Sequence, residues 1–294
     1  MAQRYARSTL AVSMTRNDFD ALRRFAMHGL AVRGAFVSLD ETWQSVRLRN
    51  LAPLPAQQLL GEALAASALM ASRIKVDGRV SVQLQGGKNL KLLMAECTSE
   101  GGQRGVLSCD DSLSDDWTLA DVDRDSLLTI TIENARAERY QGIVELKGDT
   151  LAEALTGYFT HSEQLDTRLW LAADNDRAAG LIVQRLPGRN PEDPDGWNRV
   201  VHLAETVTAE ELLGLRSETL AGRLFAEETL AWEPQKRLCF RCPCSRERVA
   251  EVLMALGEEA LEKELGGDEV VTVDCEFCNE RYSFDPVDLK LLFA

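Results

Sequence analysis

The chain has 294 residues, longer than one typical domain, and so leaves room for a sizeable core plus one or two smaller modules. Its 47 acidic against 33 basic residues give a formal charge of −14, and aromatic residues make up 6%, so phosphate backbones are repelled, base stacking is poorly supplied, and nucleic acid is not an expected partner. Apolar content of 45% and charged content of 27% are ordinary globular values and exclude wholesale disorder or a collagen-like fibre.

At the N-terminus Arg4 and Arg7 precede only Leu10-Ala11-Val12-Ser13-Met14, and Arg16, Asp18 and Asp20 follow at once. That is too short for the roughly 7 to 15 residue apolar core of a secretory signal, and cytoplasmic residence is expected. Asn17 as N-cap and helical spacing of Phe19, Leu22, Phe25 and Ala26 predict a helix over Asp18 to Met27. A longer helix is predicted over Pro53 to Ser72, with Leu59-Leu60, Ala63-Leu64 and Ser67-Ala68 on one face. Its apolar run, Leu59 to Ala71, is broken by Gly61 and Glu62 and falls below the roughly 18 to 20 residues of a membrane span.

The period then switches to two. Val80, Val82 and Leu84 alternate with Ser81, Gln83 and Gln85, and Leu128, Ile130 and Ile132 alternate with threonines, which predicts half-buried strands. Gly86-Gly87-Lys88 lacks the frame of a phosphate-binding loop and reads as a turn, so no nucleotide is expected. Further strands are expected over Leu90 to Cys97, Gly142 to Leu146, Thr167 to Leu171 and Leu181 to Leu186, with Asp149-Thr150 capping a short helix that carries Leu151 and Leu155. Helices and strands in blocks favour an α+β fold over a doubly wound one. Pro187 to Gly196 is polar, holds three of the eight prolines and reads as a boundary. Beyond it Ala204 to Glu233 is charged and helical in composition, with Leu212, Leu213, Leu220, Leu224 and Leu230 as apolar positions and Pro234 as a stop. The expected organisation is an N-terminal α+β domain over residues 1–188, a helical linker over 189–238 and a small C-terminal domain over 239–294.

Five of the seven cysteines fall in that last segment: Cys239-Phe240-Arg241-Cys242-Pro243-Cys244, then thirty residues, then Cys275-Glu276-Phe277-Cys278. Two close pairs at this separation suit four thiolates around Zn²⁺, each pair forming a knuckle. Spacing alone does not choose between Cys239-x-x-Cys242 and Cys242-x-Cys244 for the first knuckle. Ser245 to Leu265 reads as a helix between the knuckles, and Val270 to Val273 as a strand entering the second. The last histidine is His202, and four sulfurs leave no open position for activated water, so hydrolytic zinc chemistry is disfavoured and no enzymatic activity is expected. Residues 239–294 carry thirteen acidic and six basic side chains, which argues against a nucleic-acid ribbon. Such a site either holds a small fold together or acts as a switch, because oxidised ligands lose the metal and, with it, the fold.

The chain resembles the redox-regulated 33-kilodalton heat-shock chaperonin family of bacteria. The resemblance is carried by Cys242-Pro243-Cys244-Ser245-Arg246-Glu247-Arg248 with Cys275-Glu276-Phe277-Cys278. Further forward it extends through Ala31-Val32-Arg33-Gly34, Asp77-Gly78, Val82-Gln83-Leu84-Gln85-Gly86, Arg139-Tyr140-Gln141-Gly142, Gly148-Asp149-Thr150-Leu151 and Ser162-Glu163-Gln164-Leu165. The resemblance implies Cys242, Cys244, Cys275 and Cys278 as the ligands of one Zn²⁺ in the reduced protein, and Cys239 as an accessory thiol without a family role. It implies an ATP-independent holdase, inactive when reduced, in which oxidation forms Cys242–Cys244 and Cys275–Cys278 disulfides, expels zinc and loosens the linker. Unfolded client proteins and a second copy of the active chain are the implied partners. Leu212, Leu213, Leu220 and Leu224 are the candidate client-binding residues, with permanent burial in a core as their other reading.

Competing readings are a protein-interaction adaptor with a purely structural tetrathiolate zinc site, and a thiol oxidoreductase, which would protect catalytically rather than stoichiometrically. Cys97 and Cys109 read as small core hydrophobes. His28, His161 and His202 are scattered without triad partners.

Overall fold

The computed structural model describes residues 19–73, 77–110, 113–123, 125–134, 136, 138–187, 193–257 and 270–293. The N-terminal readings at Leu10 to Met14 and Asn17, and part of the Pro187 to Gly196 boundary, lie outside these residues.

Two six-stranded sheets enclose one long helix. In the first sheet β1 (Ala21–Met27), β2 (Val32–Leu39), β9 (Ala178–Arg185) and β8 (Thr167–Ala173) are consecutive neighbours. The second runs β5 (Gly102–Cys109), β4 (Leu90–Thr98), β3 (Gly78–Gln85), β6 (Leu127–Asn134) and β7 (Arg139–Val144), all antiparallel. After β2 come α1 (Glu41–Arg47) and α2 (Leu54–Ala71). Fourteen of the 18 residues of α2 are buried, because it lies between the sheets and has no solvent face. Its alanines keep the helix thin, and Gly61 lets it touch β8: a Cβ there would lie 2.6 Å from the Cβ of Ala173.

The alternating strands sit as expected, with Val82 opposite Ala95 and Ile130 and all three side chains buried on α2. Thr150 caps α3 (Leu151–His161), its hydroxyl accepting from the Glu153 amide at 3.2 Å. The Gly86 turn joins β3 to β4, and the Lys88 amide there donates to Asp123.

One element differs in kind. Residues 21–27 form a strand, not a helix. β1 is flanked on both edges and buried on both faces, with Leu22 in the core around α2 and Phe25 and Met27 in a second core on the opposite side. Two-sided burial puts apolar residues at irregular spacing, which imitates a helical period.

The linker also differs from one helical stretch. It comprises α4 (Gly196–Ala204), α5 (Ala209–Gly214) and α6 (Ser217–Leu224), then two-residue strands β10 (Ala231–Trp232) and β11 (Lys236–Arg237), both antiparallel to β1. The helices cover the outer face of the first sheet. Val200, Ala204, Leu212, Leu213, Leu220, Leu224 and Phe225 pack there on Phe25, Val32, Phe36, Leu181 and Val183. Phe25 is the hub, with ring centroids 5.4 Å from Phe36, 6.0 Å from Phe225 and 5.6 Å from Trp232.

Under α5 lies a cavity of about 640 Å³ lined by Glu62, His161, Arg168 and Leu212 among others. Burial on α2 pushes Glu62 up to about 7 from 4.5. The folded protein therefore favours the protonated carboxyl. Its contribution to stability is complete below pH 4.5 and is lost as pH rises through about 7. Glu62→Gln should stabilise the protein by about 2 kcal/mol at about pH 8 and by little in acid, flattening the pH dependence of the urea midpoint. An unchanged slope in this variant would remove Glu62 as its source.

Candidate metal centre

The C-terminal residues begin with β12 (Cys239–Phe240), which adds in parallel to β5, Cys239 opposite Gly102 and Phe240 opposite Gln103. Cys242 and Cys244 follow. Ser245 then caps α7 (Arg246–Leu256), accepting from the Arg248 amide at 3.3 Å. The predicted extension of this helix to Leu265 falls outside the described residues beyond Gly257. Strand β13 (Val271–Asp274) leads into Cys275, a tight turn carries Cys278, and β14 (Arg281–Phe284) and α8 (Pro286–Leu292) close the module. In the turn the Cys275 amide donates to the Glu280 carbonyl at 2.9 Å and the Asn279 amide to the Cys275 carbonyl at 2.7 Å. Asn279 sits at φ 60°, a left-handed position that asparagine tolerates.

These loops bring Cys242, Cys244, Cys275 and Cys278 together, all four Sγ atoms within 4.8 Å of one another. A tetrahedral zinc with bonds of about 2.3 Å requires sulfurs about 3.8 Å apart, and Cys242 and Cys275 stand at 3.7 Å, Cys244 and Cys278 at 3.2 Å. The donor set and its spacing fit a zinc ion. Both of these sulfur contacts run from one knuckle to the other. Tyr282 Oη donates to the Cys244 sulfur at 3.2 Å. Burial raises the Cys278 and Cys242 thiols, and neighbouring sulfurs add to this. Cys244 is lowered, because hydrogen bonds from Tyr282 and Cys278 outweigh its burial. Four sulfurs in one cage cannot all ionise without a cation among them, and a dication supplies that charge.

Cys239 is exposed, on the sheet edge, and outside the cage. Cys97 is buried, and burial pushes its thiol up to about 12, as suits a core residue. Cys109 is half-buried against the same core.

The residues that dock this centre on the second sheet are not visible in the cysteine motif. Arg104 on β5 holds Glu96 on β4 with two hydrogen bonds of 2.9 and 3.2 Å and lies 4.1 Å over the Phe277 ring. Arg49 donates to the Cys278 carbonyl at 3.2 Å, accepts from Asn279 at 3.1 Å through its own carbonyl, and stacks on Phe240 at 4.6 Å. Both arginines thus touch the second knuckle and stack on a phenylalanine, Phe277 next to Cys278 and Phe240 two residues before Cys242. The aromatic neighbours Phe240 and Phe277 were the available signal in the sequence.

Leu212, Leu213, Leu220 and Leu224 lie far from the cysteines in the linker core, 5%, 9%, 1% and 4% exposed. Among the described residues no helix is long and apolar enough to cross a membrane.

A family model described as Hsp33 protein matches residues 20–285. The 33 kDa chaperonin of Ectopseudomonas mendocina is 45% identical over 286 residues, covering 95% of this chain and 96% of that one. That of Azotobacter vinelandii is 44% identical over 284 residues, covering 95% and 96%. The crystal structure of a 33 kDa chaperonin from Thermotoga maritima superposes with a TM-score of 0.77 over 93% of this chain and 97% of that one, at 20% identity, and shares the fold. A two-sheet α+β core, a C-terminal four-cysteine cage and relatives matched along nearly their whole length place this chain in the Hsp33 family of chaperones.

Proposed function

We propose that this protein is a redox-gated, ATP-independent holdase of the cytoplasm, silent while its four thiolates hold Zn²⁺ and active after they are oxidised. The observation that carries the reading is the placement of the linker. Its leucines are buried on the first sheet, and the last of the three short strands that follow them, β12, ends two residues before Cys242. Bound zinc holds the ligands as thiolates and fixes the module in which they lie. In each oxidation two thiolates give up two electrons to hypochlorous acid. With one proton taken from solvent, the oxidant leaves as chloride and water and one S–S bond forms.

The pairing we propose, by family resemblance, is Cys242–Cys244 and Cys275–Cys278. Disulfides are poor ligands, so the metal is lost and the module with it. Arg104 then loses Phe277 and Arg49 loses Cys278 and Asn279, β12 leaves β5, and the linker is free to expose Leu212, Leu213, Leu220 and Leu224 to unfolding proteins. Two active chains pair through the surface so released.

Light scattering of a thermally unfolding client is the test. The oxidised protein, freed of oxidant, should suppress aggregation at near-equal molar amounts without ATP, and the reduced zinc form should not. Equal behaviour of both forms would reduce the cysteines to a structural site, and protection at catalytic amounts would favour thiol exchange.

A further inference from the structure

Three arginines meet at a pocket of about 370 Å³ beside the C-terminal end of α2, with Arg24, Arg33, Gly34, Ser72, Arg73 and Glu233 in its walls. Arg24 is already neutralised: it pairs with Glu233 at 2.5 Å and donates to the Ser72 carbonyl at 3.0 Å. Arg33 and Arg73 have no such partner. Both point at one neutral atom, Oε1 of Gln184, Arg33 donating from Nη2 at 2.7 Å and from Nε at 3.2 Å, and Arg73 from Nη2. Gln184 is 1% exposed and its amide is fixed, because Nε2 donates at 2.7 Å to the hydroxyl of the fully buried Thr167.

Among the described residues, Nη1 of Arg73 is buried without a hydrogen-bond partner, and neither Arg33 nor Arg73 forms an ion pair. Burial, with Arg33 nearby, pushes Arg73 down to about 9, and burial followed by Arg24 lowers Arg33. Guanidinium groups stay protonated in proteins, so what this corner lacks is negative charge. In a chain of net charge −14 that is a local reversal of sign.

We propose that this pocket is a binding site for a phosphate-class oxyanion, gripped by Arg33 and Arg73, which Gln184 holds in place from behind, with the Arg24–Glu233 pair as its rim. Two planar forks, one from β2 and one from the turn that follows α2, offer more donors than a two-oxygen carboxylate can accept, which favours a tetrahedral oxyanion. The pocket volume suits an inorganic ion or the end of a phosphate chain. The proposal does not depend on the cysteines acting as a sensor.

The experiment is calorimetric titration of the full, reduced, zinc-loaded chain with inorganic phosphate, pyrophosphate, sulfate and acetate at constant ionic strength, with thermal unfolding in parallel. Phosphate or pyrophosphate should bind at one saturable site and raise Tm by about 3 °C at ten times its Kd. Sulfate binding alongside would show that shape suffices, and its failure would show selectivity for phosphate; both support the site. Arg73→Gln should weaken binding at least about tenfold without lowering the ligand-free Tm, since it removes an unneutralised buried charge. Arg33→Gln should lose binding likewise and serves if the first variant does not fold. The proposal is overturned by the absence of saturable binding, by acetate acting as strongly as phosphate, or by full binding in both variants.

Discussion

Cys278→Ser is expected to abolish metal binding and unfold residues 239–293 as a unit while the two-sheet core stays folded. The module has too little else to hold it. Leu253, Val271 and Phe284 are its only fully buried apolar side chains among the described residues, with Val249, Val273 and Tyr282 packed partly against them. Metal binding in comparable tetrahedral modules contributes roughly 10–16 kcal/mol at neutral pH, far more than three buried side chains supply. A serine hydroxyl is a neutral, hard donor and does not replace a thiolate. The check is zinc content together with hydrogen exchange. Amides of Val249 to Leu256 in α7 should lose protection, while those of Leu60 to Leu69 in α2 keep theirs. A strong chelator should reproduce the effect in the unmodified protein. Full protection of α7 without metal would show that the module folds on its own side chains and that thiol oxidation has nothing to unfold.

Leu220→Ala is expected to activate the reduced protein. Leu220 is 1% exposed in the core between linker and first sheet, which is separate from the core around α2. Deleting a buried leucine side chain removes about 2–5 kcal/mol, and here the loss falls on the attachment of the linker rather than on the two-sheet body. The reduced, zinc-bound variant should suppress client aggregation without oxidant, and trypsin should cut after Arg216 and Arg223 faster than in the parent. A variant that melts earlier yet still needs oxidant would show that the linker does not gate client binding.

What was legible in the sequence was what is encoded locally. The cage cysteines lie in two short motifs, Thr150 and Glu153 cap a helix within one turn, and the alternation at Val80 to Leu84 reports one buried face directly. β1 looks helical in the sequence because, although one edge pairs with the neighbouring β2, its other edge is filled by residues 231–237 and its two faces by separate cores, none of which has a local mark. Arg49 and Arg104 carry no local mark: their role exists only because β12 docks beside β5, more than a hundred residues away in sequence. The unneutralised pair of Arg33 and Arg73 is hidden for the same reason, since Gln184 joins them from β9.

Between α6 and Cys242 the chain is fastened by three strands of two residues each, β10, β11 and β12. Besides the short ladders, backbone hydrogen bonds mark the seam from Arg241 to Gln103 at 2.9 Å, Cys239 to Gly101 at 3.0 Å, Leu238 to Asp20 at 2.7 Å and Glu233 to Arg24 at 2.9 Å. A seam of this kind peels from the end nearest the sulfurs, crossing a series of small barriers instead of one tall one. Each partial opening can close again once the thiols are restored. On the redox gating proposed above, the extent of opening is then expected to follow how long an oxidant persists, with brief exposure fraying only the end of the seam and sustained exposure reaching the leucines.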